Sequence, residues 1–187
     1  MEEEPADGPS AGSAAEGPAA DGSGTGEIEQ SSREVTLMFP SPEDEVLHGQ
    51  ARRILWTASV EDRARQTLTE LAAGPQEGLL PALPADARLR EFFLLSDGTG
   101  VADFSGEIRG VKGGTDGERT ALQAIAHTLT FNFPEIRRVM ILVDGDETET
   151  LAGHIDLRYP VVPDPALLGP GPVNPSEEQP GPKAVAE

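Results

Sequence analysis

The 187-residue chain has no cysteine, so disulfides and thiolate chemistry are excluded and its redox compartment leaves no mark. Aromatic residues are few: six Phe, one Trp and one Tyr, all between Phe39 and Tyr159. Positive charge is short as well, with 14 basic residues against 33 acids and a net charge of −19. With no basic run, such a chain is repelled by phosphate backbones and by anionic bilayers, which argues against nucleic acid and membrane surfaces as partners. No apolar run approaches a bilayer span, and "MEEEPADG" has neither the basic nor the apolar region of a signal peptide. The expectation is a chain that does not insert into a membrane.

What is present is unevenly spread. The first 33 residues hold eight acids and one base, and the last 27 hold four acids and one base. Both ends are rich in Gly, Ala, Ser, Pro and Glu, and too poor in large apolar residues to offset the entropy of ordering them. The predicted organisation is therefore a disordered acidic linker over 1–33, one domain over 34–160, and a disordered Pro/Gly-rich tail over 161–187.

Within the domain, "EVTLMF" (34–39) alternates as a half-buried strand, and "VLHGQARRIL" follows as a weaker extended segment. Ser59-Val60-Glu61-Asp62 reads as a capped helix start, with Val60, Ala64, Leu68, Leu71 and Ala72 on one face and Gly74-Pro75 as the stop. The two prolines of "QEGLLPALPADARL" rule out regular structure there. "LREFFLL" and "VADFS" flank Ser96 to Gly100, a hairpin signal. Thr115 to Glu118 offers a second capping box, before a helix whose buried face is Leu122, Ile125, Ala126 and Leu129. "RRVMILV" reads as a central strand and "GHIDLRY" as a shorter last one. The predicted fold is α/β: a compact single domain with a mixed β-sheet and two helices packed on one face.

Three stretches invite a chemical reading. "DGDETE" (144–149) has carboxylates at the short spacing that hard cations need, but lacks the frame of a calcium loop, and its reading is an exposed acidic turn. His154 and Asp156 would share one strand face, two ligands where zinc takes three or four. "KGGTDGE" (112–118) places glycines and Lys112 before a helix, where anions bind, but Asp116 and Glu118 would repel a phosphate. Ser105, His127 and Asp103 can be picked out as a triad, yet no nucleophile elbow surrounds the serine. Arg52-Arg53 and Arg137-Arg138 read as charges flanking strands, and Trp56 as core. No reaction centre, metal or cofactor emerges.

Five pieces in order resemble the GerMN domain family of sporulation and spore germination proteins. They are "VTLMFP" (35–40), "LTELAAGPQEGLLPALP" (68–84), "GVADFSGE" (100–107), "ALQAIAHTLTFNFPEIRRVMILVDG" (121–145) and "LAGHIDL" (151–157). The resemblance implies an α/β domain similar to ring-building modules, an extracytoplasmic envelope location, a binding or scaffolding role and no catalytic residues. The family's conspicuous residues map to Asp103, Phe104, Gly145, Gly153, His154 and Asp156. Of these, Asp103, Phe104, Gly153, His154 and Asp156 form the candidate binding surface. Family members commonly begin with a signal, lipoprotein site or anchor. None stands here, so the expectation is an anchor upstream of Met1, or a cytoplasmic protein if Met1 is the true start.

The leading expectation is a non-enzymatic domain that binds an envelope protein or cell-wall component, with weak homo-oligomerisation. Sheet edges, "EVTLMF" and "GHIDL" first, are the expected contact surfaces. Two alternatives stand beside it. One is a small metal-dependent hydrolase using Asp103, His154 and Asp156; the other is a cytoplasmic regulator that binds a small molecule.

Overall fold

The structure, a computed structural model, describes residues 31–169. The expectations for the outermost segments, 1–30 and 170–187, fall outside these residues. The chain order is β1 (Ser32–Pro40), β2 (Leu47–Leu55), α1 (Val60–Ala72), β3 (Leu89–Leu94), β4 (Thr99–Phe104), α2 (Gly114–Asn132), β5 (Arg138–Val143) and β6 (Asp146–Glu147). Short 3-10 turns follow β4 at Gly106–Gly110 and lie near the end at Pro165–Leu167.

The strands form two sheets. β1 and β2 make an antiparallel hairpin in unbroken register from Ser32↔Leu55 to Pro40↔Leu47. The second sheet is mixed, in the order β3-β4-β5-β6, with only β4 and β5 parallel. The hairpin stays separate because helix side chains occupy the outer edge of β1. The Asn132 carboxamide accepts from Thr36 N (2.9 Å) and donates to Thr36 O (2.7 Å), and Thr128 Oγ1 accepts from Met38 N (3.0 Å). Those backbone groups are satisfied as a neighbouring strand would satisfy them, so no strand is added.

The helices form where their sequences direct. Ser59 caps α1, its Oγ accepting from Asp62 N at 3.1 Å. α1 buries Ala64, Leu68 and Leu71 against β3 and the hairpin. α2 lies against β1 and β5 and touches α1, so both helices cover the sheet face that carries Phe92, Ala102, Phe104, Ile141 and Val143. Phe39, Phe92, Phe104 and Phe133 are among the largest fully buried side chains, and they unite the two sheets in one core.

Two sequence expectations are corrected. Thr115 is not the cap of α2: the helix begins behind Gly113, which has no side chain to cap with, and Glu118 turns inward. "GHIDLRY" is not a strand, because its amides are bonded elsewhere: Gly153 to Thr150 Oγ1, His154 to Glu118, Leu157 to the Glu149 carbonyl and Arg158 to Asp156. Side-chain acceptors here outcompete a ladder. β5 is instead followed by a turn at Asp144-Gly145, with φ of 58° and 89°, into the two-residue β6. Positive φ at both positions is the geometry of a tight Asp-Gly hairpin. The acidic stretch is thus a turn, as read.

The packed chain runs past residue 160. Val161 exchanges both backbone hydrogen bonds with Val139, at 2.7 and 2.9 Å, and Gly169 N donates to Leu47 O at 2.9 Å. Between them Asp164 accepts from Arg119 Nη2 (3.2 Å), and its carbonyl meets His127 Nε2 at 3.0 Å.

Candidate functional site

The family-motif residues divide into three groups. Asp103, 6 % exposed in the middle strand β4, accepts from Gly145 N at 2.8 Å and lies 3.2 Å from Arg90 Nη1. Phe104 beside it is fully buried in the core. Together they fix the turn after β5. Asp144 in that turn accepts from Gly106 N at 3.1 Å, tying it to the chain leaving β4.

Gly153 and His154 form the second group, in the loop over the start of α2. The centre of this group is a residue with no place in the motif reading, Glu118. It has no exposed surface, and its carboxylate accepts four hydrogen bonds. Oε1 takes Leu151 N (2.8 Å) and Ala152 N (3.1 Å); Oε2 takes His154 N (2.9 Å) and the His154 ring at Nδ1 (3.1 Å). Since a carboxylate oxygen only accepts, Nδ1 carries the hydrogen and Nε2 is left facing away. Gly153, at φ 96°, supplies the left-handed bend that lets amides on both sides of it converge.

Burial works to raise the Glu118 pKa. The amides of Ala152, Leu151 and His154, with the His154 ring, outweigh it and hold the carboxyl below its ordinary value. The sequence did carry a signal for this residue. Glu118 precedes Ala121, Leu122 and Ile125 by three, four and seven positions, which places it on the buried stripe of α2. An acid there must have partners from outside its own helix.

Asp156 stands alone with Arg158. The guanidinium bonds its carboxylate at 2.9 and 2.8 Å, and the Arg158 side chain and amide bring the Asp156 pKa down to about 2. Both side chains are exposed.

Asp103, His154 and Asp156 are thus engaged in three separate places. Among the described residues, no group of three or more His, Asp or Glu side chains is placed to hold a metal ion. The suggested Ser105, His127 and Asp103 are dispersed in the same way: Ser105 Oγ accepts from Arg88 N, and His127 is 4 % exposed beneath Asp164. Burial lowers the His127 pKa, against the opposing pull of Asp164. Two cavities border the surface. One of about 1300 Å³ lies between the Leu80–Asp86 loop and the start of α2, where Lys112, Gly113 and Asp116 line it. The other, about 420 Å³, lies between β2 and α1. Neither is lined by Asp103, His154 or Asp156.

Trp56 and the arginines take roles that the sequence reading did not give them. Trp56 is half-buried between two guanidinium groups, Arg33 at 4.4 Å and Arg63 at 4.2 Å from its ring centre. Arg52 turns inward, donating to Gly74 O at 2.9 Å with Glu70 at 3.6 Å.

Residues 36–149 match the family described as "Germane: Sporulation and spore germination". The chain belongs to this family. The Germane match contains Asp103, Phe104, Glu118 and Gly145, and ends before Gly153, His154 and Asp156. Solved structures resemble this Germane chain as well, three of them as follows. A candidate lipoprotein of Clostridium perfringens is 27% identical, with a TM-score of 0.51 over 70% of this chain and 87% of its own. The first GerMN domain of the sporulation protein GerM of Bacillus subtilis is 25% identical, with a TM-score of 0.54 over 70% of this chain and 97% of its own. The tandem GerMN domains of that protein give 26% identity and a TM-score of 0.57 over 72% of this chain, which spans 46% of the tandem. No curated protein sequence matches the chain.

Proposed function

We propose that this chain is a non-enzymatic binding or scaffolding domain of the cell envelope, whose partner is an envelope protein or cell-wall component. The observation that carries this reading is the use of its buried acids. Glu118 directs all its lone pairs to the loop over α2, and Asp103 directs its own to the turn after β5 and to Arg90. Both buried acids are thus occupied in shaping the surface. The similarity to a candidate lipoprotein supports an extracytoplasmic location, and the family's description and its sporulation protein support a part in sporulation or germination.

Cross-linking in intact cells, with the full chain as bait, tests the reading. Reproducible capture of one envelope partner, reversed by excess untagged chain, is expected. Sedimentation at low and moderate salt is expected to show weak self-association that strengthens as salt screens the charge of −19. Turnover of ester, peptide or glycan substrates that is abolished by His154→Ala would overturn the reading in favour of an enzyme.

A further inference from the structure

We infer that the outer edge of β2 receives an extended segment of a partner protein as an added strand, with a carboxylate of that segment facing Arg53. The inference rests on the binding role proposed above and names its surface.

The hairpin register decides which backbone groups face outward. Thr36 turns both of its groups away from β2, to Asn132, so its partner Ala51 turns both of its own away from β1. Alternation then sends Gly49 and Arg53 outward with Ala51, and Leu47 and Leu55 beyond them. Both ends agree with this. Leu47 O accepts from Gly169 N, and Leu55 N and O are both held by the Gln66 carboxamide, at 2.9 and 3.0 Å. Gln66 thus imitates one residue of a neighbouring strand. Between the two closed ends, the amides and carbonyls of Gly49, Ala51 and Arg53 have no partner among the described residues, and Ala51 and Arg53 are exposed.

This is the contrary of what the sequence suggested. The edge of "EVTLMF" is closed by α2 and "GHIDL" forms no strand, whereas the outer edge of β2, between them in the chain, is open among the described residues.

The surroundings select the occupant. The gap from Gly49 to Arg53 matches an extended segment of about 17 Å. At its Arg53 end lies the hollow of about 420 Å³, with Ile54, Leu55 and Thr69 in its walls, which suits an apolar side chain. Arg53 forms no ion pair among the described residues, whereas Arg65 opposite is held by Asp62 at 3.3 Å and Glu91 at 3.1 Å. An added strand of alternating apolar and polar residues, with one carboxylate at the Arg53 position, satisfies all three features.

The test uses the full chain and a nine-residue peptide alternating valine and threonine around one glutamate. Bound peptide is expected to slow amide exchange at Gly49, Ala51 and Arg53 about tenfold and to leave Thr36 and Met38 unchanged. Ala51→Pro removes an outward amide, which an edge strand tolerates, and is expected to abolish the effect. Arg53→Glu is expected to weaken binding about threefold, and a peptide with lysine for glutamate should restore it. That exchange of charges carries the test if Ala51→Pro fails to fold. Absence of slowed exchange at the three amides, or no charge rescue, overturns the inference. If the same amides are protected by self-association without peptide, a second copy of this chain takes the edge and the partner assignment falls. An envelope partner captured equally by wild type and Ala51→Pro leaves the binding role standing and removes only its placement on this edge.

Discussion

Glu118 and Asp103 are both buried carboxylates holding a turn of backbone, yet their partners differ in kind. Asp103 divides its oxygens between one amide and Arg90, a cation that is itself half in solvent. Glu118 has three amides and an imidazole, with no arginine or lysine paired to it among the described residues. A carboxylate paired with a flexible cation can lose that partner and be rehydrated from the same side. A carboxylate enclosed by amides cannot lose its charge or its shape without releasing the loop that covers it. The first acid adjusts a turn; the second decides whether 151–154 has a structure.

Substitutions can break this comparison, and the largest effect is expected at Glu118. Glu118→Ala leaves four donors without an acceptor and should cost about 3 kcal/mol. The thermal midpoint should then fall by about 10 °C. Glu118→Gln keeps an acceptor for Leu151 and Ala152 but presents NH2 to the His154 amide, so about half that loss is expected. A midpoint unchanged in both variants would mean that the loop is held by other contacts.

Acid sharpens the contrast next. The folded-state pKa of Glu118 lies below its unfolded value, so its contribution is complete above about pH 4.3 and is lost as pH falls through the folded value. Melting curves between about pH 6 and pH 3 should show a steeper acid decline in wild type than in Glu118→Gln. Parallel curves would show that other acids govern the decline. The neutral, buried His127 adds to the decline with the same sign, because its lowered pKa makes the unfolded chain the better proton acceptor.

Asp103→Asn is expected to cost only about 1 kcal/mol, since the amide oxygen still accepts from Gly145 and the Arg90 partner is half in solvent. Equal losses at 103 and 118 would erase the distinction. Asp156→Asn should leave the midpoint unchanged. Its low pKa reflects an exposed pair with Arg158, and such pairs contribute little.

The sequence showed some of this and hid the rest for physical reasons. The hairpin at Ser96–Gly100 and the Ser59 cap were legible because the residues that make them lie within five positions of one another. The division into two sheets was not, because it depends on Asn132 reaching Thr36 across 96 positions. "GHIDLRY" looked like a strand by composition. The distant Glu118 takes the His154 amide and the Glu149 carbonyl takes that of Leu157, and nothing inside the segment shows that. Glu118 was visible as an acid on a buried stripe, but a local rule, the capping box beginning at Thr115, accounted for it first. At the site as at the sheet edges, what could not be read was the long-range bond from a side chain to a backbone amide.

The stacking of Trp56 between Arg33 and Arg63 has an experimental consequence. The chain has one tryptophan, so its indole emission, excited apart from that of Tyr159, comes from one place, the junction where β2 passes into α1. Opening of the hairpin would free the indole from Arg33 on β1 and expose it further to water, changing the intensity and wavelength of its light. The loop over Glu118 contains no indole and would open unseen by that signal. Emission therefore reports on the hairpin end, and amide exchange at Leu151, Ala152 and His154 reports on the loop, without any label being added.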